Sequence, residues 1–261
     1  MRANPTFTYI LLIVVLLTAV VSISTSRSRV DDSGPGQTKN QSRIRRTDED
    51  VKRQYPTTDY DELEPTDPNK RAQRKEKQNR HNNFHFVEGN PPPNTGAIEF
   101  SPEKNFDFPA LPTRLSDTIV LVDVLDAGAH LSENKKNVYS EFSVVVKQLF
   151  KIKTSGSVTL TVGSITSVER IGGWVTYPDG RKILYRISGF GMPRVGGRYV
   201  LFLNSIGQSN DYTILTGYEL SPSGVVPLDY SAQFDVFSGY EEGPFLEALN
   251  DALTKTPIVQ N

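Results

Sequence analysis

Cysteine is absent from all 261 residues, methionine occurs twice, tryptophan once and histidine three times. Without cysteine there is no disulfide framework, no thiolate nucleophile, no acylated cysteine behind a leader, and no cysteine-ligated zinc or iron. An excess of charge is also lacking, since 29 Lys and Arg stand against 30 Asp and Glu. Several motifs of reactive sites are missing too: no G-x-S-x-G, no P-loop and no G-x-G-x-x-G occurs. Long apolar runs are confined to one place, residues 7–23, interrupted by Thr8, Thr18 and Ser22.

That span of 17 residues is at the lower limit for crossing a bilayer core. Arg2 before it and small residues such as Ser22 and Ser24 after it suit a signal peptide; Arg27 and Arg29 beyond it also suit a retained anchor. Either way the rest of the chain is expected to be exported, since a buried core helix does not normally open a chain. Residues 1–26 are therefore expected to be a signal peptide or an apolar signal-anchor helix. A large exported domain without disulfides points to a bacterial envelope, membrane-anchored, periplasmic or extracellular.

From residue 24 to 110 the chain carries 15 basic and 15 acidic residues and no long apolar periodicity. Such a composition buries too little surface to offset ordering entropy, so residues 27–83 read as a disordered charged linker. Its charges fall in blocks, and the basic block 70–80 suits docking on an anionic lipid or polymer. Residues 84–110 differ: Phe84, Phe86, Phe100, Phe106 and Phe108 are interleaved with prolines, which suits an extended arm lying along a folded body.

Residues 111–261 are long enough for one substantial core. Val120, Val122 and Val124 alternate with Leu121 and Asp123; Phe142, Val144 and Val146 alternate with Glu141, Ser143 and Lys147. Residues 126–137 between them read as a long loop, and Val158, Leu160 and Val162 as a third strand. Pro178-Asp179-Gly180 predicts a hairpin joining 174–177 to 183–187. Residues 198–203 read as a central strand and 212–216 as its partner, while Pro244 and the Phe245, Leu246, Leu249, Leu253 stripe predict a helix over 244–255. The fold expected is mainly β, a small open antiparallel OB-like barrel or a sandwich with a C-terminal helix.

Asp117-Thr-Ile-Val-Leu-Val-Asp-Val, the run from Val138 to Lys151, Gly172-Gly173 and Pro193-x-x-Gly196-x-x-Tyr199-Val-Leu-Phe-Leu203 resemble uncharacterised exported bacterial β-domain proteins. More remotely, residues 117–217 are similar to the netrin and metalloproteinase-inhibitor type of OB-like barrel. In the inhibitors an amino-terminal cysteine and disulfides carry the activity, so the resemblance implies the barrel and not the inhibition.

Candidate chemistry is sparse. His81-x-x-x-His85 lacks the glutamate of a zincin motif, and His130 sits in polar surroundings. Ser132-Glu133-Asn134-Lys135 matches S-x-x-K without its companion motifs. The surface most suited to a ligand is the mixed aromatic and basic hairpin of Trp174, Tyr177, Arg181, Lys182, Tyr185 and Arg186, the composition on which OB-like barrels hold strands or sugars. No catalytic residue, metal or cofactor is expected. The reading is a noncatalytic binding or structural module of the cell envelope. Its partner would be an envelope protein, peptide or glycan, with the membrane engaged through 7–23 if that segment is retained. Nucleic acid is disfavoured by export and by 13 basic against 15 acidic residues in 111–261. The alternative is an extracytoplasmic hydrolase or transferase using carboxylates such as Asp123, Asp126 or Glu141.

Overall fold

Among the described residues, two helices and two strands form before the β-patterned half begins. The computed structural model describes residues 46–83, 96–101, 108–153, 160–206 and 211–255. All of them belong to one compact unit spanning Thr38–Asn261. Helix α1 (Asp48–Gln54) starts at a capping box in which the Thr47 side chain accepts from the Asp50 amide while the Asp50 carboxylate accepts from Thr47. Strand β1 (Thr57–Asp59) comes next, then α2 (Pro68–Arg80), which is capped by Asp67 and has proline in its first turn. Strand β2 (Gly96–Phe100) ends this part.

The disordered linker expected over 27–83 therefore fails for residues 46–83. Average composition concealed two local signals, the helix caps and the pair Val51 and Tyr55. One turn apart, both side chains are buried in the main core. The apolar segment 7–23 lies outside the described residues. Among those described, no helix is long and apolar enough to cross a membrane.

The remaining strands are β3 (Thr118–Leu131), β4 (Val138–Ile152), β5 (Ile165–Ile171), β6 (Gly173–Thr176), β7 (Lys182–Ile187), β8 (Arg198–Ser205), β9 (Asp211–Ser221) and β10 (Gly224–Pro227). One sheet runs β10-β9-β5-β4-β3-β8, and β8 also pairs with β9. The strands β3, β4, β5, β9 and β8 thus close into a ring. Its pairings are antiparallel except β5 with β9, which is parallel. A smaller sheet runs β1-β6-β7-β2, in which the tight β6–β7 hairpin is flanked on both edges by strands from the N-terminal segment. The φ of +118° at Gly172 lets the chain pass from ring to small sheet, and a Cβ there would meet the Tyr55 ring at 2.9 Å.

Alternation sets the packing. Val120, Val122, Phe142, Val144, Val168 and Leu201 point into the ring with Val51 and Tyr55. The opposite faces of β3 and β8 carry Ile119, Leu121, Val200 and Phe202, which pack with Phe245 and Leu249 of α3 (Glu242–Thr254). A third cluster joins Leu131 and Val138 to Val175, Ile183 and Tyr185 of the small sheet.

Two sequence expectations about strands need correction. Residues 126–131 are strand rather than loop, because a register shift between Val124 and Asp126 lets β3 stay paired with β4 as far as Leu131 with Val138. Residues 160–162 are not strand: a turn closes at Gly163 with φ +85°, and the strand begins at Ile165. Val158 lies outside the described residues. Within 84–110, residues 96–100 are β2 in parallel pairing with β7, Phe108 packs against the α3 cluster, and the Tyr218 hydroxyl donates to the Ala110 carbonyl at 2.6 Å.

Candidate functional site

The six hairpin residues singled out from the sequence do not share a surface. Tyr177 and Tyr185 are 5% and 0% exposed, their hydroxyls lie 2.7 Å apart, and Tyr60 stacks on Tyr177 at 5.0 Å between ring centroids. These tyrosines fill the junction of ring and small sheet, so the aromatic platform is not there. Burial, reinforced by the hydrogen bond to Tyr185, pushes the Tyr177 hydroxyl far above its ordinary pKa. Arg181 pairs with Asp179 across the turn at 2.6 Å. Arg186 bridges Asp48 of α1 at 2.7 Å and Glu99 of β2 at 3.3 Å. Trp174 donates its indole N–H to the Lys52 carbonyl at 3.0 Å, and the Lys182 ammonium stands 5.6 Å from its ring. Trp174 and Lys182 line one groove, about 480 Å³ in volume, beside Lys52 and Arg53, while Arg186 lines a different one beside Asp48 and Glu99.

The more organised polar site lies where α2 crosses β4, β5 and β9. Register creates it. Glu141 of β4 is directly opposite Glu169 of β5, and Ser167 of β5 is directly opposite Asp211 of β9. Like charges facing each other across a ladder repel, so these carboxylates require cations among them. Helix α2 supplies them. Lys77 Nζ contacts Glu141 at 2.6 Å, Ser167 Oγ at 3.1 Å and Asp211 at 3.3 Å. Arg80 reaches Glu169 at 2.8 Å and Asp211 at 2.9 Å.

His81 Nε2 is 3.0 Å from Glu169, and its ring stacks on Tyr139 at 4.0 Å. Glu169 is only 1% exposed. From the middle of the helix, Arg74 meets Glu62 at 2.5 Å and His130 Nδ1 at 2.6 Å. The β3–β4 connection joins in: Asn134 donates to the Asn82 side chain and backbone, and Asn137 donates to the His81 carbonyl.

Electrostatics follow the geometry. Burial alone would lower Lys77, but the hydrogen bond and charge of Glu141 with Asp211 and Glu169 raise it above its ordinary value. Burial works against ionisation of Asp211, yet Arg80 and Lys77 hold it below the usual carboxylate range. Glu62 is likewise penalised by burial but held down at about 2 by His130 and Arg74. Tyr139 is pushed far up by burial and then by Glu169 and Glu141. Its hydroxyl is buried with no hydrogen-bond partner among the described residues.

Sequence reasoning marked the basic block of α2 but not its acidic counterpart. Glu141, Glu169 and Asp211 are far apart along the chain, and only strand pairing gathers them.

The remaining candidates resolve into fastenings. Ser132 Oγ donates to Asn134 Oδ1 at 2.7 Å while Lys135 reaches the Tyr60 carbonyl at 2.9 Å, so no serine–lysine pair forms. Asp123 pairs with Lys147 at 3.1 Å and Asp126 accepts from the Ala127 amide at 2.9 Å. Arg170 is buried against both oxygens of Asp229 at 2.8 and 2.7 Å and also donates to the Gly191 and Leu215 carbonyls. Arg46 and Arg194 converge on Glu219. His85 lies outside the described residues, and among those described no group of three His, Asp or Glu side chains is placed to hold a metal ion. No family model and no curated protein matches the chain.

Proposed function

We propose that the chain is a noncatalytic binding module of the cell envelope, exported or membrane-tethered through residues 7–23, whose ligand face is the outer surface of β4, β5 and β9. The observation that carries this reading is the convergence of Glu141, Glu169 and Asp211 on that face, held in register by the ring and facing cations. Closure of β3, β4, β5, β9 and β8 with one parallel pairing supports an OB-like barrel, remotely of the netrin kind. In such barrels the face of the second and third strands, flanked by the connections between strands one and two and strands four and five, takes the ligand. Here those strands are β4 and β5, and the flanking connections precede Val138 and Asp211. An acidic face suits an envelope protein or peptide better than a nucleic acid.

The hydrolase or transferase alternative gains no support from Asp123, Asp126 and Glu141. They lie along the β3–β4 pair, and each is engaged by a separate partner: Lys147, the Ala127 amide, and Lys77 with Ser167. A photo-crosslinking residue at Ser143, on the β4 side of this face, tests the binding reading in the full-length chain in its own cells. An intermolecular product in the envelope fraction, absent when the probe stands at the exposed Lys255 beyond α3, is expected. Equal or no product at the two positions overturns it.

A further inference from the structure

Resting on the reading of the β4–β5–β9 face as the ligand face, we infer that its ligand is a Lys/Arg-rich helical segment of a partner protein, and that α2 is the internal occupant which this segment displaces. Helix α2 contributes no buried residue. Its partly covered positions are 74, 77, 78 and 80, with His81 next at the C-cap, so one stripe at helical spacing touches the ring while the rest faces solvent. That stripe is joined to the ring through ion pairs, hydrogen bonds and one stacked ring rather than through apolar burial.

The face cannot simply be left open. With α2 gone, Glu141 and Glu169 would confront each other across the ladder, with Asp211 nearby and their cations removed. Repulsion between these carboxylates opposes that state. Departure of α2 is therefore coupled to the arrival of another set of cations, which makes the device an exchange rather than an opening. The internal occupant also gives the pattern its replacement must reproduce. A cation at the position of Lys77 meets Glu141 and Asp211, a second cation three residues on meets Glu169 and Asp211, and a flat group one residue further stacks on Tyr139. An arginine or histidine satisfies the last requirement. A tethered α2 competes at an effective concentration of roughly millimolar. An incoming helix therefore binds tightly only where the internal contact is loosened or its own pairs are better.

The test uses the full-length chain and, as probe, a fluorescein-labelled synthetic peptide with the sequence of residues 68–81. Anisotropy titrations compare the unmodified chain with the Lys77→Glu/Arg80→Glu chain, in which α2 is repelled from the face. The peptide is expected to bind the double variant at least about tenfold more tightly, with affinity falling as salt rises. A peptide carrying the same two changes is expected not to bind. Equal binding to both chains, with near-ultraviolet circular dichroism unchanged, overturns the inference.

Failure of the double variant to fold also counts against it, because α2 would then be an integral part of the body. Hydrogen exchange on the unmodified chain gives an independent reading: amides of α2 exchanging about a hundredfold faster than those of β4 and β5 support displacement, and exchange in step with them overturns it. Envelope crosslinks from Ser143 without peptide binding leave the ligand face standing and remove the ligand class. Peptide binding without crosslinks keeps the ligand class and removes the envelope reading.

Discussion

Helices α1 and α2 come from the same charge-dense stretch, both are capped by a side chain, and the shorter is the better anchored. Seven residues of α1 place Val51 in the ring core, with Tyr55 buried just beyond, where its hydroxyl donates to the Phe190 carbonyl at 2.8 Å. Thirteen residues of α2 bury no side chain. Burying a valine or a comparable large side chain stabilises by about 1.5–3 kcal/mol, whereas an ion pair near the surface contributes about 0–1 kcal/mol. Helix length and capping therefore decide where a helix forms, and one apolar pair a turn apart decides whether it stays. The first helix is part of the body; the second rests on it.

The largest effect should come from removing the α1 anchor. Tyr55→Ala is expected to cost about 3–5 kcal/mol in urea unfolding, as for other buried aromatic side chains, and Val51→Ala about 1–3 kcal/mol. Trp174, the single tryptophan, reports locally because its indole N–H is bonded to the Lys52 carbonyl. If Tyr55→Ala costs less than about 1 kcal/mol, α1 is held no better than α2 and the contrast disappears.

A smaller effect should come from Lys77→Ala. The ring keeps its apolar core, so the global cost is expected near 1 kcal/mol or below. Exchange of the α2 amides should nevertheless accelerate, since Glu141 and Asp211 lose their shared cation. A loss of several kcal/mol would make α2 a second α1.

Much of the ring was legible because period two is a strong signal where one face is buried. The alternation through Phe142, Val144 and Val146 and the Pro178-Asp179-Gly180 turn both mark real elements of the sheets. The end of β3 was obscured by small and polar residues, Ala127, Gly128 and His130, that pair well but do not look like a strand. Strand β5 was hidden because its buried polar residues Glu169 and Arg170 interrupt the apolar pattern. The binding hairpin was misread for a related reason. A tyrosine among arginines reads as surface, yet Tyr185 points between two sheets while Arg186, its neighbour, turns to α1 and β2. The acidic face is a product of register, which no local window contains.

Acid provides the finest comparison, because the two helices rely on groups that titrate differently. Glu62 is held at about 2 in the folded chain, against an ordinary value of 4.5. Its contribution is therefore whole above 4.5 and is lost as the pH falls through about 2; Asp211 shifts in the same downward direction. The contacts that α2 makes through Arg74, Lys77 and Arg80 with Glu62 and Asp211 should thus weaken across that window. In α1, acid removes the exposed Asp50 side of the capping box, but Val51 and Tyr55 carry no charge there, Tyr55 being pushed still higher by burial. A proton–nitrogen NMR titration should show the backbone amides of α2, which carries Arg74 against Glu62, moving before the indole N–H of Trp174. Movement of the indole first, or of both together, would mean that charge rather than apolar burial holds α1, and the distinction between the two helices would have to be abandoned.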